Sequence, residues 1–310
     1  MAKFLQALKQ TIKSVLASRE AKRREAEIKA EAPHIDKATI VNGLRAMGIV
    51  PGDVVMLHSS LKSLGYVEGG AQTVLEAVYE AVSPGGTLVV PTYYLPGGTI
   101  YNTCKMEGYV FDPRQHGSNL GALPDTFLKM PGIKRSIHPT HSVSALGPQA
   151  EYVVSAHHLA PSIFGPGSPW ERCLQLNAKV LGLGISMGPV TFYHLLEDML
   201  LDKFPLPVRL PETFMLPCRD WDGQSIKVPV TPLDPAYNPR RIDNKARGDL
   251  QQFFIEDFRR AGILKDGKVG TAAAWFVPAQ GFYARLEWLA GRGITIYSEP
   301  AELAAFGDGR

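Results

Sequence analysis

An apolar strand that leads directly into a tight turn and a helix constrains this chain more than any other feature. Residues 180–185 are apolar apart from two glycines, which is typical of a strand buried inside a sheet. A helix is predicted from Thr191 onward, and the i, i+3 spacing of His194 and Glu197 places both on one face. In open α/β sheets the functional site lies outside the carboxyl ends of the strands, so this pair is a candidate site.

A second unit, earlier in the chain, has the order strand, loop, helix, turn and strand. Residues 53–57 and 87–92 are the predicted strands and residues 71–82 the helix between them, which indicates a βαβ unit. The loop at residues 58–65 is rich in serine, and hydroxyls and backbone N–H groups ahead of a helix can hold a pyrophosphate. The loop matches neither the P-loop nor the G-x-G-x-x-G pattern.

The rest of the chain divides into predicted elements and three segments. Helices are expected near residues 36–47, 120–129, 150–158, 250–261 and 281–290, strands at 143–146 and 268–276, and a hairpin at 214–229 around Asp222-Gly223. The predicted segments are a helical extension at 1–32, one domain at 33–300 and a tail at 301–310.

The first 32 residues differ from the rest because they lack glycine and proline and are rich in Ala, Lys, Arg and Glu. Their apolar residues recur at helical spacing, which predicts a basic amphipathic helix. Such a helix can dock on a membrane surface or on a partner protein. It can equally be a solvated extension that packs on its own domain or on a second copy of the chain.

Composition excludes several classes of protein. The formal net charge of +3 is mild and gives no concentrated basic face for nucleic acid. The three cysteines are scattered without a CxxC pair, which favours a reducing compartment, and no apolar run approaches the length of a spanning helix. We therefore expect a cytoplasmic enzyme or binding protein with a large core.

The residues alone leave several chemistries open at the candidate site. Ser186 lies in a G-x-S-x-G pattern between a strand and a helix, as in a serine hydrolase, but no histidine follows His194 in the chain. His138 and His141 are spaced H-x-x-H, without the flanking pattern of a zinc motif, and we expect no metal. A histidine with a carboxylate partner can act as a general base, although His194 can also be an ordinary core histidine.

Four segments, in this order, resemble the aminoglycoside 3-N-acetyltransferase family of antibiotic N-acetyltransferases. They are HSSLKSLGYVEGGAQTVLEA, GTLVVPT, RSIHPTHSVSALGPQA and GPGSPWERCLQLNAKVLGLGISMGPVTFYHLLED. The later KVGTA fits that family's V-G-x-A strand, so the resemblance spans about residues 36 to 290. It implies a three-layer α/β/α sandwich with a mixed central sheet, to which the N-terminal helical extension is added.

The resemblance also implies roles for individual residues. Thr191, His194 and Glu197 match the family's T-x-x-H-x-x-E motif, in which the histidine is catalytic. The residues that resemble the coenzyme A contacts are Ser59, Ser60, Leu61, Ser63, Leu64, Gly65, Arg135 and Ser136. The implied cofactor is acetyl-CoA, without a metal, and the implied partner is a small amine rather than nucleic acid.

The implied reaction is direct transfer of an acetyl group to an amine, with His194 as the base and donors near Thr191 or Ser60 stabilising the oxyanion. Aminoglycosides are polycations, whereas this chain is slightly basic, so a nucleotide-linked aminosugar for surface polysaccharide is a second candidate acceptor. The residues are also compatible with a serine hydrolase that uses Ser186, and with a non-catalytic relative that assembles through residues 1–32.

Overall fold

A seven-stranded mixed sheet forms the centre of the protein. In this computed structural model, which describes Glu20 and residues 34–308, the strand order is β10-β11-β7-β2-β4-β6-β5. The strands are β1 His34–Ile35, β2 Val54–Ser59, β3 Tyr66–Val67, β4 Thr87–Pro91, β5 Lys134–Arg135, β6 Val143–Leu146, β7 Lys179–Leu183, β8 Phe214–Arg219, β9 Ser225–Val230, β10 Lys265–Val269 and β11 Ala272–Pro278. Strands β7, β2 and β4 pair with one another in parallel. Every pairing outside these three, β10 with β11, β11 with β7, β4 with β6 and β6 with β5, is antiparallel.

Helices cover both faces of this sheet. They are α1 Lys37–Ala46, α2 Gly70–Val82, α3 Ile100–Cys104, α4 Ala122–Phe127, α5 Ala150–Val154, α6 Pro169–Gln175, α7 His194–Leu200, α8 Gly248–Arg260, α9 Ala279–Ala290 and α10 Pro300–Asp308. Successive side chains of a strand point to opposite faces. Accordingly, Val55 and Leu57 pack with α1 and α2 in one cluster, while Met56 packs in the cluster that holds α6 to α9. The expected three-layer α/β/α sandwich with a mixed sheet is confirmed.

The structure differs from the sequence-based expectation in two places. The single strand predicted at residues 268–276 is two antiparallel strands, β10 and β11, because the chain reverses at Gly270, whose φ is +58°. Residues 301–308 of the segment set apart as a tail lie in helix α10, whose Leu303 and Phe306 pack on the main core. The hairpin predicted around Asp222-Gly223 is present as β8 and β9.

The predicted extension at residues 1–32 lies outside the described residues, apart from Glu20. Among the described helices, none combines the length and apolarity needed to cross a bilayer.

Candidate active site

The turn after β7 carries the chain to the carboxyl edge of the sheet. Gly184 has φ +65°, and a Cβ there would lie 3.0 Å from the Ser63 Cβ atom and 3.1 Å from the Ser60 carbonyl oxygen. Glycine is therefore required both by the backbone and by the close approach of the loop after β2. A short 3-10 turn, Thr191–Tyr193, then leads into α7. The helix begins well beyond Ser186, so the serine does not lie on a sharp strand-to-helix elbow.

His194 and Glu197 form the expected pair. His194 Nδ1 lies 2.8 Å from Glu197 Oε1, and only 1% of the Glu197 side chain is exposed. The Tyr297 hydroxyl donates to the same carboxylate oxygen at 2.7 Å, and Arg209 Nη2 lies 3.5 Å from Glu197 Oε2. Two hydrogen bonds therefore hold one oxygen of this carboxylate, the Arg209 charge lies beside the other, and the carboxylate fixes the ring orientation of His194.

The charges around Glu197 keep it ionised despite its burial. Burial alone would raise the pKa of Glu197, but the charge and hydrogen bond of His194, together with Arg209 and Tyr297, lower it below its ordinary value. Burial likewise disfavours the charge of Arg209, but its contact with Asp198 at 2.6 Å and the nearby Glu197 hold the pKa of Arg209 above its usual range. The buried network therefore keeps a negative charge on Glu197, next to the His194 ring that would become an imidazolium.

Phe164 supports the other face of the histidine. The Phe164 and His194 rings have centroids 5.1 Å apart, and Arg209 lies over the Phe164 ring at 5.7 Å. The Phe164 backbone N–H donates to Asp198 at 2.8 Å, which fixes the ring's position relative to α7. The ring of His194 is thus held by a carboxylate at one edge and an aromatic side chain at one face.

The remaining edge of His194 opens into a pocket of about 400 Å³. About 13% of the His194 side chain is exposed there. Its walls include Tyr93, Tyr101, Asn102, Phe164, His141, Thr191, Asn238, Arg241 and Asp243. Arg241 and Asp243 form a bidentate ion pair at 2.5 and 2.7 Å, so the one carboxylate among these lining residues is already neutralised.

Thr191 lies at the pocket wall and is held from behind by two buried rings. Its hydroxyl oxygen accepts from Trp170 Nε1 at 3.1 Å and lies 3.2 Å from His58 Nε2. Burial lowers the pKa of His58 to about 4, so this ring is neutral near pH 7 and can accept the Thr191 hydroxyl hydrogen. These contacts anchor the 3-10 turn that leads into α7. A Thr191 hydroxyl that donates to His58 does not donate to an oxyanion at the same time.

The predicted cofactor loop does not line the His194 pocket. Among Ser59, Ser60, Leu61, Ser63, Leu64 and Gly65, Ser63 lines a separate cavity of about 380 Å³. Its other walls include Gly184, Ile185, Ser186, Met187, Leu264 and Trp275. The first half of the turn, residues 184–187, therefore lines the loop-side cavity, and the second half, residues 188–191, lines the His194 pocket.

Arg135 and Ser136 are engaged inside the fold and do not line the His194 pocket. The N–H groups of Arg135 donate to the Ser142 hydroxyl and to the carbonyls of Pro113, His116, Thr92 and Gly117. The Ser136 hydroxyl accepts from the Val143 N–H and lies 3.1 Å from His157 Nδ1. Because these donors and acceptors are already used, the expected cofactor contacts receive no support from the geometry.

The hydrolase and metal-site hypotheses find little support. Ser186 is exposed and lines the loop-side cavity, whose described walls include no histidine. The histidines considered as metal ligands, His138 and His141, have ring centroids 6.4 Å apart, and His138 is stacked on His157 at 4.4 Å. Within the described residues, no group of three or more His, Cys, Asp or Glu side chains has a metal-binding arrangement.

Several residues that build the site have no signal in the sequence. Tyr297, Arg209 and Phe164 are distant from α7 in the chain, and no local pattern connects them with His194. Asp198 follows Glu197 directly, but its role depends on Arg209 and on the Phe164 backbone. A second acidic residue beside Glu197 is the one signal that could have indicated a buried cation.

Comparisons with known proteins bear on the family and the fold of this chain. A family model described as aminoglycoside 3-N-acetyltransferase matches residues 56–290. An aminoglycoside N(3)-acetyltransferase III from a Salmonella species is 31% identical over 257 residues, which cover 80% of this chain and 88% of the relative.

Two solved structures are similar over most of the chain. The aminoglycoside acetyltransferase AAC(3)-Xa superposes with a TM-score of 0.71 at 28% identity, covering 87% of this chain and 98% of that one. AAC-VIa bound to sisomicin gives a TM-score of 0.68 at 26% identity, covering 84% and 99%.

Proposed function

The chain belongs to the aminoglycoside 3-N-acetyltransferase family and is an acyltransferase, and on this premise we propose that it acetylates a sugar amine with acetyl-CoA, using His194 as the general base. One observation carries the assignment of the base. His194 Nδ1 is bonded to the buried, ionised Glu197, and the same ring borders a pocket large enough for a sugar. A histidine with its Nδ1 hydrogen on a carboxylate offers the lone pair of Nε2 as a base.

The proposed reaction proceeds by direct transfer. His194 Nε2 accepts a proton from the substrate ammonium, and Glu197 stabilises the resulting imidazolium. The neutral nitrogen attacks the acetyl carbonyl of acetyl-CoA, the C–N bond forms and the C–S bond breaks. The attacking nitrogen, positively charged after the C–N bond forms, releases its second proton to solvent, and the imidazolium gives the first proton to the departing thiolate, which yields the amide, coenzyme A and one proton. No covalent acyl-enzyme is needed.

We propose that the loop at residues 59–65 and the adjacent cavity hold the thioester substrate. The cavity of about 380 Å³ has apolar walls at Ile185, Leu264 and Trp275 and a hydroxyl at Ser63, which suits an alkyl amide chain. Residues 184–187, which line this cavity, continue directly into residues 188–191, which line the His194 pocket.

The acceptor in this proposal is a sugar with a free amine, and the charges that line the pocket bear on how many amines that sugar carries. Relatives act on aminoglycosides, and AAC-VIa is bound to sisomicin. Here Asp243 is paired with Arg241, so the pocket offers no free carboxylate among the walls named above for several ammonium groups. An aminosugar with one amine and neutral or anionic substituents, such as a nucleotide-linked aminosugar, is therefore the second candidate beside an aminoglycoside.

The experiment is a thiol-release assay with acetyl-CoA. Coenzyme A release is measured with sisomicin, gentamicin and a set of nucleotide-linked aminosugars, and the product is checked by mass spectrometry for one added acetyl group. We expect release that depends on the acceptor and a product acetylated on nitrogen. Release at the rate of the acceptor-free blank with every amine, by folded protein that binds coenzyme A, would contradict the proposal.

Two further expectations belong to the same proposal. We propose that the enzyme works in the cytoplasm, since its three cysteines are free and buried. We also propose that residues 1–32 attach it to a membrane surface, a partner or a second copy. A variant without residues 1–32 should retain full thioester turnover and lose co-sedimentation with anionic vesicles or self-association. Unchanged association would contradict that role.

A further inference from the structure

His141 is a second histidine in the wall of the His194 pocket, and the proposed mechanism does not use it. Only 4% of the residue is exposed. Its ring lies edge-on to Phe164, with centroids 4.9 Å apart, and Phe164 also packs on His194 at 5.1 Å. Tyr93 covers another side of the His141 ring at 4.5 Å. One aromatic side chain therefore positions both histidines against the same pocket.

The contacts behind His141 bear on which of its nitrogens carries hydrogen. His138 Nδ1 accepts the backbone N–H groups of His141 at 3.0 Å and Thr140 at 3.3 Å, so that nitrogen carries no hydrogen. The Thr140 hydroxyl oxygen lies 3.3 Å from His138 Nδ1 and 3.1 Å from His141 Nδ1. When the Thr140 hydrogen points to His138, the oxygen accepts from His141 Nδ1, and His141 then has a lone pair on Nε2. This is the tautomer on which the role of His141 depends.

His141 Nε2 is available to a ligand. The pocket borders the ring, and among the described residues this nitrogen has no hydrogen-bond partner. Burial, together with the neighbouring guanidinium groups of Arg209 and Arg241, lowers the pKa of His141 well below its ordinary value. The ring is thus a neutral acceptor. It contrasts with His194, whose Nδ1 faces a carboxylate rather than a hydroxyl.

We propose that His141 Nε2 accepts a hydrogen bond from the acceptor amine and so orients the nitrogen that His194 deprotonates. This inference rests on the proposed function of the same site. An ammonium group has three N–H bonds, so it can donate to both imidazoles at once. After one proton passes to His194, the N–H held by His141 restricts rotation of the amine and directs its new lone pair. His194 moves the proton, and His141 holds the nitrogen.

Two substitutions separate binding from a structural role. His141→Asn keeps an amide nitrogen near the position of Nδ1 for Thr140 but leaves nothing at the position of Nε2. His141→Gln places an amide oxygen farther out, near that position. We expect kcat/KM for the acceptor to fall about 10- to 100-fold in H141N, chiefly through KM, as for loss of a hydrogen bond to a charged group. We expect H141Q to recover to within about threefold.

The controls are the dissociation constant of coenzyme A and the thermal unfolding midpoint, both of which should stay unchanged. Equal losses in H141N and H141Q, or a wild-type KM in H141N, would overturn the proposal. Nitrogen-15 NMR of the unmodified protein tests it without turnover. The expected spectrum has hydrogen on His141 Nδ1, and the Nε2 signal shifts when a sugar amine is added in the absence of acetyl-CoA.

The NMR result also separates this inference from the proposed function. Hydrogen on Nε2 instead of Nδ1, or an Nε2 signal unmoved by an amine that does bind, overturns the role of His141 while leaving His194 as the base. A shift on amine binding, in a protein that releases no coenzyme A, supports the amine contact and contradicts the transfer reaction.

Discussion

Replacing Glu197 by glutamine removes one charge from the histidine pair and keeps the shape of the side chain. Glu197 Oε1 lies 2.8 Å from His194 Nδ1 and 2.7 Å from the Tyr297 hydroxyl. A glutamine carbonyl can accept both hydrogen bonds, so the change separates the charge of the partner from its geometry. We expect the acceptor to bind normally and proton transfer to slow.

The size of the effect follows from the charges involved. Two unit charges about 4 Å apart interact by about 4 kcal/mol at an effective dielectric constant of about 20. Since about 1.4 kcal/mol is a factor of ten in rate, a fully formed imidazolium in the transition state gives a loss of about 1000-fold. A half-formed imidazolium gives about 30-fold. We therefore expect kcat to fall between these two values.

The assay is coenzyme A release at saturating acetyl-CoA and acceptor. Asp198→Asn is the matched control, because Asp198 is the next residue and equally buried but binds Arg209 and the Phe164 N–H rather than His194. We expect the control to lose thermal stability and to keep kcat within about fivefold, since removal of one partner from a buried ion pair mainly costs folding energy. A Glu197→Gln enzyme within twofold of the parent, or an equal loss in both variants, would refute the charge argument.

Three further outcomes are expected. In Gly182→Ala the new Cβ would lie 2.1 Å from the Trp275 ring. The free energy of unfolding, measured by urea denaturation, should therefore fall by about 2–4 kcal/mol. An unchanged urea midpoint would contradict this packing. Ser186→Ala should keep kcat at saturating acetyl-CoA, with any change confined to the KM of the thioester because Ser186 lines the loop-side cavity, and the parent should resist fluorophosphonate labelling. A lost kcat together with labelling of the parent would restore the serine as nucleophile. Burial lowers the pKa of His157 from 6.5 to about 3. As the pH drops, the unfolded chain therefore binds a proton at this residue before the folded chain does. The free energy of unfolding then falls between about pH 6.5 and pH 3, by up to about 1.4 kcal/mol per pH unit. Urea titrations at several pH values should show a shallower acid slope in His157→Asn, and an identical slope would contradict a neutral buried ring.

The sequence predicted those parts of the fold that depend on local pattern. The apolar run before Gly184 is β7, and the i, i+3 spacing does bring His194 onto Glu197. Short continuous apolar runs placed β2 and β4 correctly, because a strand buried on both faces is apolar throughout. The division of residues 265–278 into two strands was missed because the turn at Gly270 interrupts no apolar pattern.

The site was harder to predict than the fold, because its charges are balanced across long chain separations. Tyr297 lies 100 residues from Glu197 and beyond the span that the family model matches. Nothing local to Arg209 indicates a partner at Asp198. The burial of Arg135 was also unpredictable, since an arginine held by backbone carbonyls has no sequence pattern that distinguishes it from a ligand contact.

The most direct test of the account is His194→Ala, with turnover and coenzyme A affinity measured on the same preparation. General base catalysis contributes about 10²- to 10⁴-fold, so we expect kcat to fall by that range. Coenzyme A should bind with an unchanged dissociation constant, because the loop-side cavity does not include His194. An alanine variant that binds coenzyme A and transfers acetyl groups at the parent rate would show that this imidazole takes no proton from the amine.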